Sequence, residues 1–175
     1  APENFEVLKT NVELNHLMNV FPVNKAVSDK SGTAPFYIEK PNDVQGSLFH
    51  GVRPNGTSVP VECITIDGFL DGQPVDVVKM DIEGGEPFAL EGMAKTLSQN
   101  SDIVLFLEFH GPLLRRAGGS PEDFLAQLDK AGFACQIIND ERRCLQPLQL
   151  VVTREEGFYH GFCNIVCVKK EAAFP

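Results

Sequence analysis

The sequence predicts an α/β protein of one domain, residues 1–175, whose mostly parallel sheet is covered by helices on both faces. Residues 75–82 and 102–109 are mostly apolar runs, which is typical of strands buried on both sides. Helical patterns follow them at 87–98 and 120–131, so the second half alternates strand and helix. With 175 residues, 43% apolar and 22% charged, the chain is long enough to build one such core.

The first half predicts one helix, three strands and a long loop. Apolar residues recur at helical spacing over 2–16, and Pro2 suits a first helical position. Apolar or alternating runs predict strands at 19–28, 34–39 and 59–66. Prolines and glycines concentrate in 40–60, so an extra hairpin and loop region is expected over about 30–66, followed by a turn or short helical segment at 67–72.

The sequence of the second half of the chain indicates where its helices begin and end. Pro87 lies early in the helix at 87–98, which presents an apolar face. Ser120 is the expected cap of the helix at 120–131, and Gly132 ends it. The remaining predictions are strands at 133–138 and 162–168, the last one antiparallel, with irregular structure at 139–161 that includes a strand at 148–152.

Composition excludes several classes of protein. A net charge of −9 and few clustered Lys and Arg residues argue against a nucleic-acid partner. No apolar run approaches the roughly 20 residues that a membrane span needs, and no signal peptide opens the chain. The five cysteines are odd in number and contain no C-x-x-C pair, so we expect reduced core cysteines in a cytoplasmic protein.

Polar side chains follow the predicted strands at one edge of the sheet. Asp81 and Glu83 end one strand, Glu108 and His110 end the next, and Asp67 follows a third. Ligands of open parallel sheets bind outside the carboxyl ends of the strands, so these five groups are expected to converge on a site.

Three interpretations of these acids stay open. Carboxylates suit Mg²⁺ or Ca²⁺, and His110 could join them for a transition metal. An acid or His110 could act as the base that deprotonates a hydroxyl. Alternatively, one acid caps the next helix, where Glu86 is expected in the first turn, and the others are solvated. Gly84 and Gly85 would let the backbone turn tightly there.

The segment VDVVKMDIEGGEPFALEGMAKTL, residues 75–97, resembles the signature of the FkbM-type methyltransferases. The residues that match the family pattern are Lys79, Asp81, Glu83, Gly84 and Glu86. The segment ITIDGFL resembles the family's preceding segment and VLFLEFHG its fifth strand, so Asp67, Glu108 and His110 carry over. Residues 2–38 resemble the region before, which places Ala26, Val27 and Ser28 where the family's adenine pocket lies.

The resemblance implies a Rossmann-like fold that binds S-adenosylmethionine and methylates a hydroxyl of a small molecule such as a sugar or polyketide. It implies Ala26, Val27, Ser28 and Asp81 as cofactor-binding residues. Catalytic roles fall to Asp81, Glu83, Glu108 and His110, and substrate contacts to Asp67, Gly84 and Glu86. Asp81 would lie near the methionine end of the cofactor and the acceptor, and Glu108 or His110 would be the base. No resident metal is expected.

One departure from the family concerns the amino-terminal end. The family's first strand, glycine-rich loop and second strand precede a segment like Pro2-Glu3-Asn4, so the fold is expected to be incomplete there. Unpaired sheet edges would then make self-association plausible. Two alternatives follow: a catalytically silent binding or interaction module without the cofactor loop, and a carboxylate-metal hydrolase.

Overall fold

A computed structural model describes residues 2–40, 45–147 and 162–171. Its helices are α1 (Pro2–Leu14), α2 (Ile66–Leu70), α3 (Glu86–Glu91), α4 (Ala94–Gln99), α5 (Gly111–Arg116) and α6 (Pro121–Lys130). Its strands are β1 (Ala26–Val27), β2 (Gly32–Ile38), β3 (Thr57–Ile64), β4 (Val77–Met80), β5 (Val104–His110), β6 (Phe133–Asn139), β7 (Cys144–Pro147) and β8 (Phe162–Lys169). The α/β class is confirmed, but the described strands form two sheets rather than one.

The smaller sheet has the order β1-β3-β2. β2 and β3 form the predicted hairpin region, antiparallel from Gly32 opposite Cys63 to Ile38 opposite Thr57. β1 pairs in parallel with the end of β3 through two residues only. The prediction of a strand over 19–28 is therefore wrong for most of its length. Residues 20–25 have no sheet partner among the described residues, and Phe21 is 82% exposed.

The larger sheet has the order β4-β5-β8-β6-β7 and is mixed. β4 and β5 are parallel, whereas β8 runs antiparallel to β5 and to β6, and β7 antiparallel to β6. The prediction of an antiparallel last strand is confirmed, and that of a mostly parallel sheet is wrong. The reason is that β8 lies between β5 and β6, so these two strands of the same direction never touch.

The helices also differ from the prediction in two places. The single helix expected over 87–98 is two helices, α3 and α4, separated at Gly92 and Met93. Helix α5 was not predicted; it follows β5 directly, with His110 as its cap. The predicted strand at 148–152 lies outside the described residues, and β7 occurs where irregular structure was expected.

The hydrophobic core lies between the larger sheet and its helices. Alternate residues of β5, namely Leu105, Leu107 and Phe109, are buried on one face. Helix α6 buries Phe124 and Leu128 against them, each worth about 1.5–3 kcal/mol. Its predicted start is confirmed, because the Ser120 hydroxyl accepts a hydrogen bond from the backbone N–H of Asp123 at 3.0 Å. This rigid core fixes the ends of β4 and β5.

The prediction of five reduced cysteines is wrong for two of them. Cys135 of β6 and Cys167 of β8 are register partners and form a disulfide. Their separation of 32 residues hides this pairing in the sequence, because only the strand register brings them together. Cys63, Cys144 and Cys163 are free thiols. Among the described residues, no helix has both the length and the apolar character needed to cross a membrane.

Candidate active site

The candidate site is built on the turn that follows β4. Glu83 adopts a left-handed backbone with φ of 56°, and Gly84 follows with φ of 89°. A left-handed residue other than glycine costs about 1–2 kcal/mol, so the surrounding structure must hold Glu83 in place. The 2% exposed Glu86 side chain closes the turn, since its Oε1 accepts a hydrogen bond from the N–H of Ile82 at 2.9 Å.

A cavity of about 310 Å³ lies between this turn and the smaller sheet. This volume is at the lower end of the range of about 300–1,000 Å³ for small-molecule pockets. The cavity is lined by residues of α1, of β1 and the residue directly before it, of β2, of the loop before β3, and of the turn after β4. The lining residues are Asn4, Lys25, Ala26, Val27, Phe36, Gly46, Leu48, Phe49, Asp81, Ile82, Glu83 and Gly85. The lining thus combines apolar side chains with the ammonium group of Lys25 and the carboxyl groups of Asp81 and Glu83.

Three of the four residues predicted to bind the cofactor line this cavity, namely Ala26, Val27 and Asp81. Ser28 is not among the lining residues. Its N–H donates to the Ile64 carbonyl at 3.0 Å, and its own carbonyl packs against Gly92. Three of the four residues thus lie at one cavity, and their role in binding the cofactor stays a prediction.

Asp81 reaches the cavity from the end of β4 with little to restrain it. Its Oδ2 lies 3.5 Å from Lys79 Nζ, and the two side chains are 54% and 55% exposed. Such an exposed ion pair contributes about 0–1 kcal/mol. The Asp81 carboxylate therefore remains available to a ligand in the cavity.

Glu108 lies on β5, next to the strand that carries Asp81, but it does not line the cavity. Partial burial, followed by the negative charges of Asp81, Glu83 and Glu86, raises the pKa of Glu108 to about 7, against a smaller opposing effect of Lys79. A carboxyl group that titrates near neutrality can accept a proton with appreciable driving force.

His110 ends β5 and caps α5. Its Nδ1 accepts a hydrogen bond from the N–H of Leu113 at 3.4 Å, and its ring stacks on Phe162 with the centroids 5.5 Å apart. Burial, and to a smaller extent the nearby Arg116, lower the pKa of His110 against the opposing effect of a hydrogen bond to its own backbone. This arrangement favours Glu108 over His110 as a base.

The three residues predicted to bind the substrate lie outside the cavity lining. The Asp67 carboxylate accepts the N–H groups of Lys95 and Thr96, at 2.9 and 2.7 Å, at the start of α4. Gly84 lies against the Leu113 carbonyl, where a Cβ would approach to 3.0 Å. The carboxylate of Glu86 is occupied by the turn, and burial raises its pKa.

Two residues at this site had no signal in the sequence. Arg53 Nη2 lies 3.3 Å from Glu83 Oε2, and the Ser47 hydroxyl donates to the Glu83 carbonyl at 3.0 Å. Both belong to the loop before β3. Because 30 or more residues separate them from Glu83, only the folded structure reveals the contact.

No group of three or more His, Cys, Asp and Glu side chains within 2–40, 45–147 and 162–171 is arranged to hold a metal ion. The acids around Glu108 interact through their charges without forming such a group.

A family model described as the methyltransferase FkbM domain matches residues 1–135. The chain belongs to the FkbM methyltransferase family. The FkbM match includes every residue that lines the cavity, together with Glu108 and His110. Comparison with curated proteins and with solved structures gave no match.

Proposed function

We propose that this FkbM-family protein is an S-adenosylmethionine-dependent O-methyltransferase that acts on a hydroxyl of a small molecule such as a sugar or polyketide. The observation that carries the proposal is the cavity after β4, which Asp81 and Glu83 line together with the apolar residues Ala26, Val27 and Phe36. Membership of the family supports methyl transfer. The cofactor and the class of acceptor are what the family resemblance implies, and the residues of the cavity are tested against them below.

The cavity residues fit this cofactor. The apolar side chains of Ala26, Val27 and Phe36 suit a flat adenine ring. The carboxylates of Asp81 and Glu83 suit ribose hydroxyls and positively charged groups. When bound, S-adenosylmethionine supplies a methyl group on a positively charged sulfur. The exposed carboxylate of Asp81 is complementary in charge to that sulfur, so Asp81 is the residue that we assign to the methionine end of the cofactor.

The protein's own part in the reaction is positioning and proton removal. Glu83 would orient the acceptor hydroxyl. As the new O–CH₃ bond formed, the bond between that methyl group and the cofactor sulfur would break and leave a neutral thioether. The O–H proton of the acceptor would pass to the Glu108 carboxylate, which lies on the neighbouring strand β5 rather than in the cavity lining. Partial burial and the negative charges of three neighbouring acids raise the pKa of Glu108 to about 7, which suits it to accept this proton. His110, whose Nδ1 accepts the N–H of Leu113, would hold the start of α5 in place.

Transfer from methyl-labelled S-adenosylmethionine to a panel of sugars and polyketides tests the proposal. We expect labelled product with the wild type and none with Asp81→Asn, whose fold should be intact because Asp81 is exposed. Asp102→Asn is the matched control, since Asp102 is an exposed acid at the opposite end of β5. Equal transfer by the wild type and Asp81→Asn would overturn the role of Asp81.

A further inference from the structure

We propose that Arg53 is a positioning residue, which holds the Glu83 carboxylate and the left-handed turn at the cavity wall. The loop that carries it, residues 45–53, is here called the clamp loop. The inference rests on the proposed function, since it assigns Arg53 to the same site. Arg53 itself does not line the cavity and would act through Glu83.

The clamp loop holds both the side chain and the backbone of Glu83. The Arg53–Glu83 ion pair is largely shielded from water, with side-chain exposures of 13% and 16%. Arg53 Nε also donates to the Gln45 carbonyl, which fixes the plane of the guanidinium group. Ser47, which is 1% exposed, donates to the Glu83 carbonyl. A shielded, charged hydrogen bond of this kind is stronger than an exposed ion pair.

The clamp loop is itself anchored on both sides. Backbone hydrogen bonds of 2.8 and 3.1 Å join Ser47 to Tyr37 of the smaller sheet. Phe49 packs on Phe88 of α3 with the ring centroids 4.7 Å apart. Gly51 approaches the end of α5 so closely that a Cβ would lie 2.2 Å from the Arg116 carbonyl. These contacts make the clamp loop a fixed support for the turn.

This support explains how Glu83 keeps its strained backbone. A left-handed residue other than glycine persists only where its surroundings hold it. The two contacts from the clamp loop act on the side chain and on the carbonyl of that same residue. An arginine suits the role because its planar guanidinium reaches Glu83 and the Gln45 carbonyl together, whereas a lysine ammonium is a single point of contact.

The test is a calorimetric titration of S-adenosylmethionine into the wild type, Arg53→Met, Arg53→Lys, Glu83→Gln and the double variant Arg53→Met/Glu83→Gln. Lys170→Met is the matched control, because it breaks the exposed Lys170–Asp129 pair far from the cavity. We expect Arg53→Met to weaken binding about tenfold to a hundredfold, the range for one charged hydrogen bond, and Arg53→Lys to lie between it and the wild type. The double variant should bind as weakly as Glu83→Gln alone and no weaker.

Two results would overturn the inference. One is a lower melting temperature of Arg53→Met with unchanged affinity, which would make Arg53 purely structural. The other is a double variant whose losses multiply, which would mean that Arg53 does not act through Glu83. If Arg53→Met does not fold, the affinities of Arg53→Lys and Glu83→Gln for S-adenosylmethionine are compared with that of the wild type instead.

Failure of the proposed function is a separate result. It would appear as a wild type that does not bind S-adenosylmethionine. The inference is then judged on the backbone NMR resonances of Glu83 and Gly84 in the unliganded protein. They should move in Arg53→Met and stay in place in Lys170→Met; resonances that stay in place in both variants would overturn it.

Discussion

The backbone N–H and the hydroxyl of Thr96 both donate to the same oxygen of Asp67, Oδ1, each at 2.7 Å. The second carboxylate oxygen accepts the N–H of Lys95. The Asp67 carboxylate of α2 thereby accepts backbone N–H groups at the start of α4 that have no partner within that helix, and it links the two helices.

Asp67→Ala should lower the free energy of unfolding by about 0.5–2 kcal/mol, the usual value of a lost cap. Although partial burial opposes the effect, the hydrogen bonds from Thr96 and Lys95 lower the pKa of Asp67. Its stabilising contribution is therefore present above the unfolded pKa of about 3.9 and is lost as pH falls through the lower folded value. Denaturant unfolding of the wild type and Asp67→Ala at pH 7 and at pH 3 measures this contribution. The same difference in the free energy of unfolding at both pH values would show that the stabilisation by Asp67 does not depend on its ionisation.

Glu108 should make stability and methyl transfer respond to pH in opposite directions. Its folded pKa of about 7 lies above the ordinary value of 4.5, so the folded state binds more protons between these values. Stability contributed by the protonated form is present below about 4.5 and falls as pH rises towards 7. Glu108→Gln should flatten this slope in unfolding curves between pH 4.5 and 8. Methyl transfer by the wild type should instead rise through pH 7, because only the ionised group accepts a proton. A Glu108→Gln stability profile parallel to that of the wild type would exclude the elevated pKa.

Gly92, between α3 and α4, packs against the backbone that follows β1. A Cβ there would lie 2.1 Å from the Ser28 carbonyl, next to the cavity residues Ala26 and Val27. Gly92→Ala should therefore destabilise the protein by about 1–3 kcal/mol or more, because backbone must move. Gly119→Ala is the control, since its Cβ would be 3.6 Å from the nearest atom. Equal melting temperatures for the two variants would show that the contact is not tight.

The Cys135–Cys167 disulfide should be detectable as a redox-dependent stability. It closes a loop across 32 residues, and such a crosslink stabilises by about 3–4 kcal/mol through the unfolded chain. Adding dithiothreitol to the wild type should lower the denaturation midpoint, whereas Cys135→Ala should be insensitive to it. Mass spectrometry after thiol alkylation would settle the pairing independently; two alkylated thiols at these positions in the untreated protein would contradict it.

Local signals in the sequence predicted many elements of this fold well. The Ser120 cap, the amphipathic helix after it and the apolar alternation of β5 depend on neighbouring residues, and all three occur as expected. The prediction of a mostly parallel sheet was wrong because the strand order depends on where β8 inserts into the sheet. No pattern in residues 162–168 predicts that position. Likewise, the run at 19–28 has the composition of a strand, but a strand needs a partner, and β3 supplies one for two residues only.

The candidate site was predictable to a similar extent. The strand-end position of Asp81 and the family resemblance singled out Asp81, Ala26 and Val27, and all three line one cavity; their role in binding the cofactor stays a prediction. Asp67 and Glu86 also follow strands, but their carboxylates serve a helix start and a turn, which spacing alone could not distinguish from ligand contact. Arg53 reaches Glu83 across the folded structure, so no local pattern could have revealed it.

The most direct test of the account is calorimetric titration of S-adenosylmethionine into the 175-residue chain and into a version extended upstream, each as wild type and as Asp81→Asn. Asp102→Asn serves as the control in both. The account predicts binding by the wild type in at least one of the two versions, weakened roughly tenfold or more by Asp81→Asn and unchanged by Asp102→Asn. Absence of binding in both versions, or equal affinity of the wild type and Asp81→Asn, would contradict the assignment of this cavity to the cofactor.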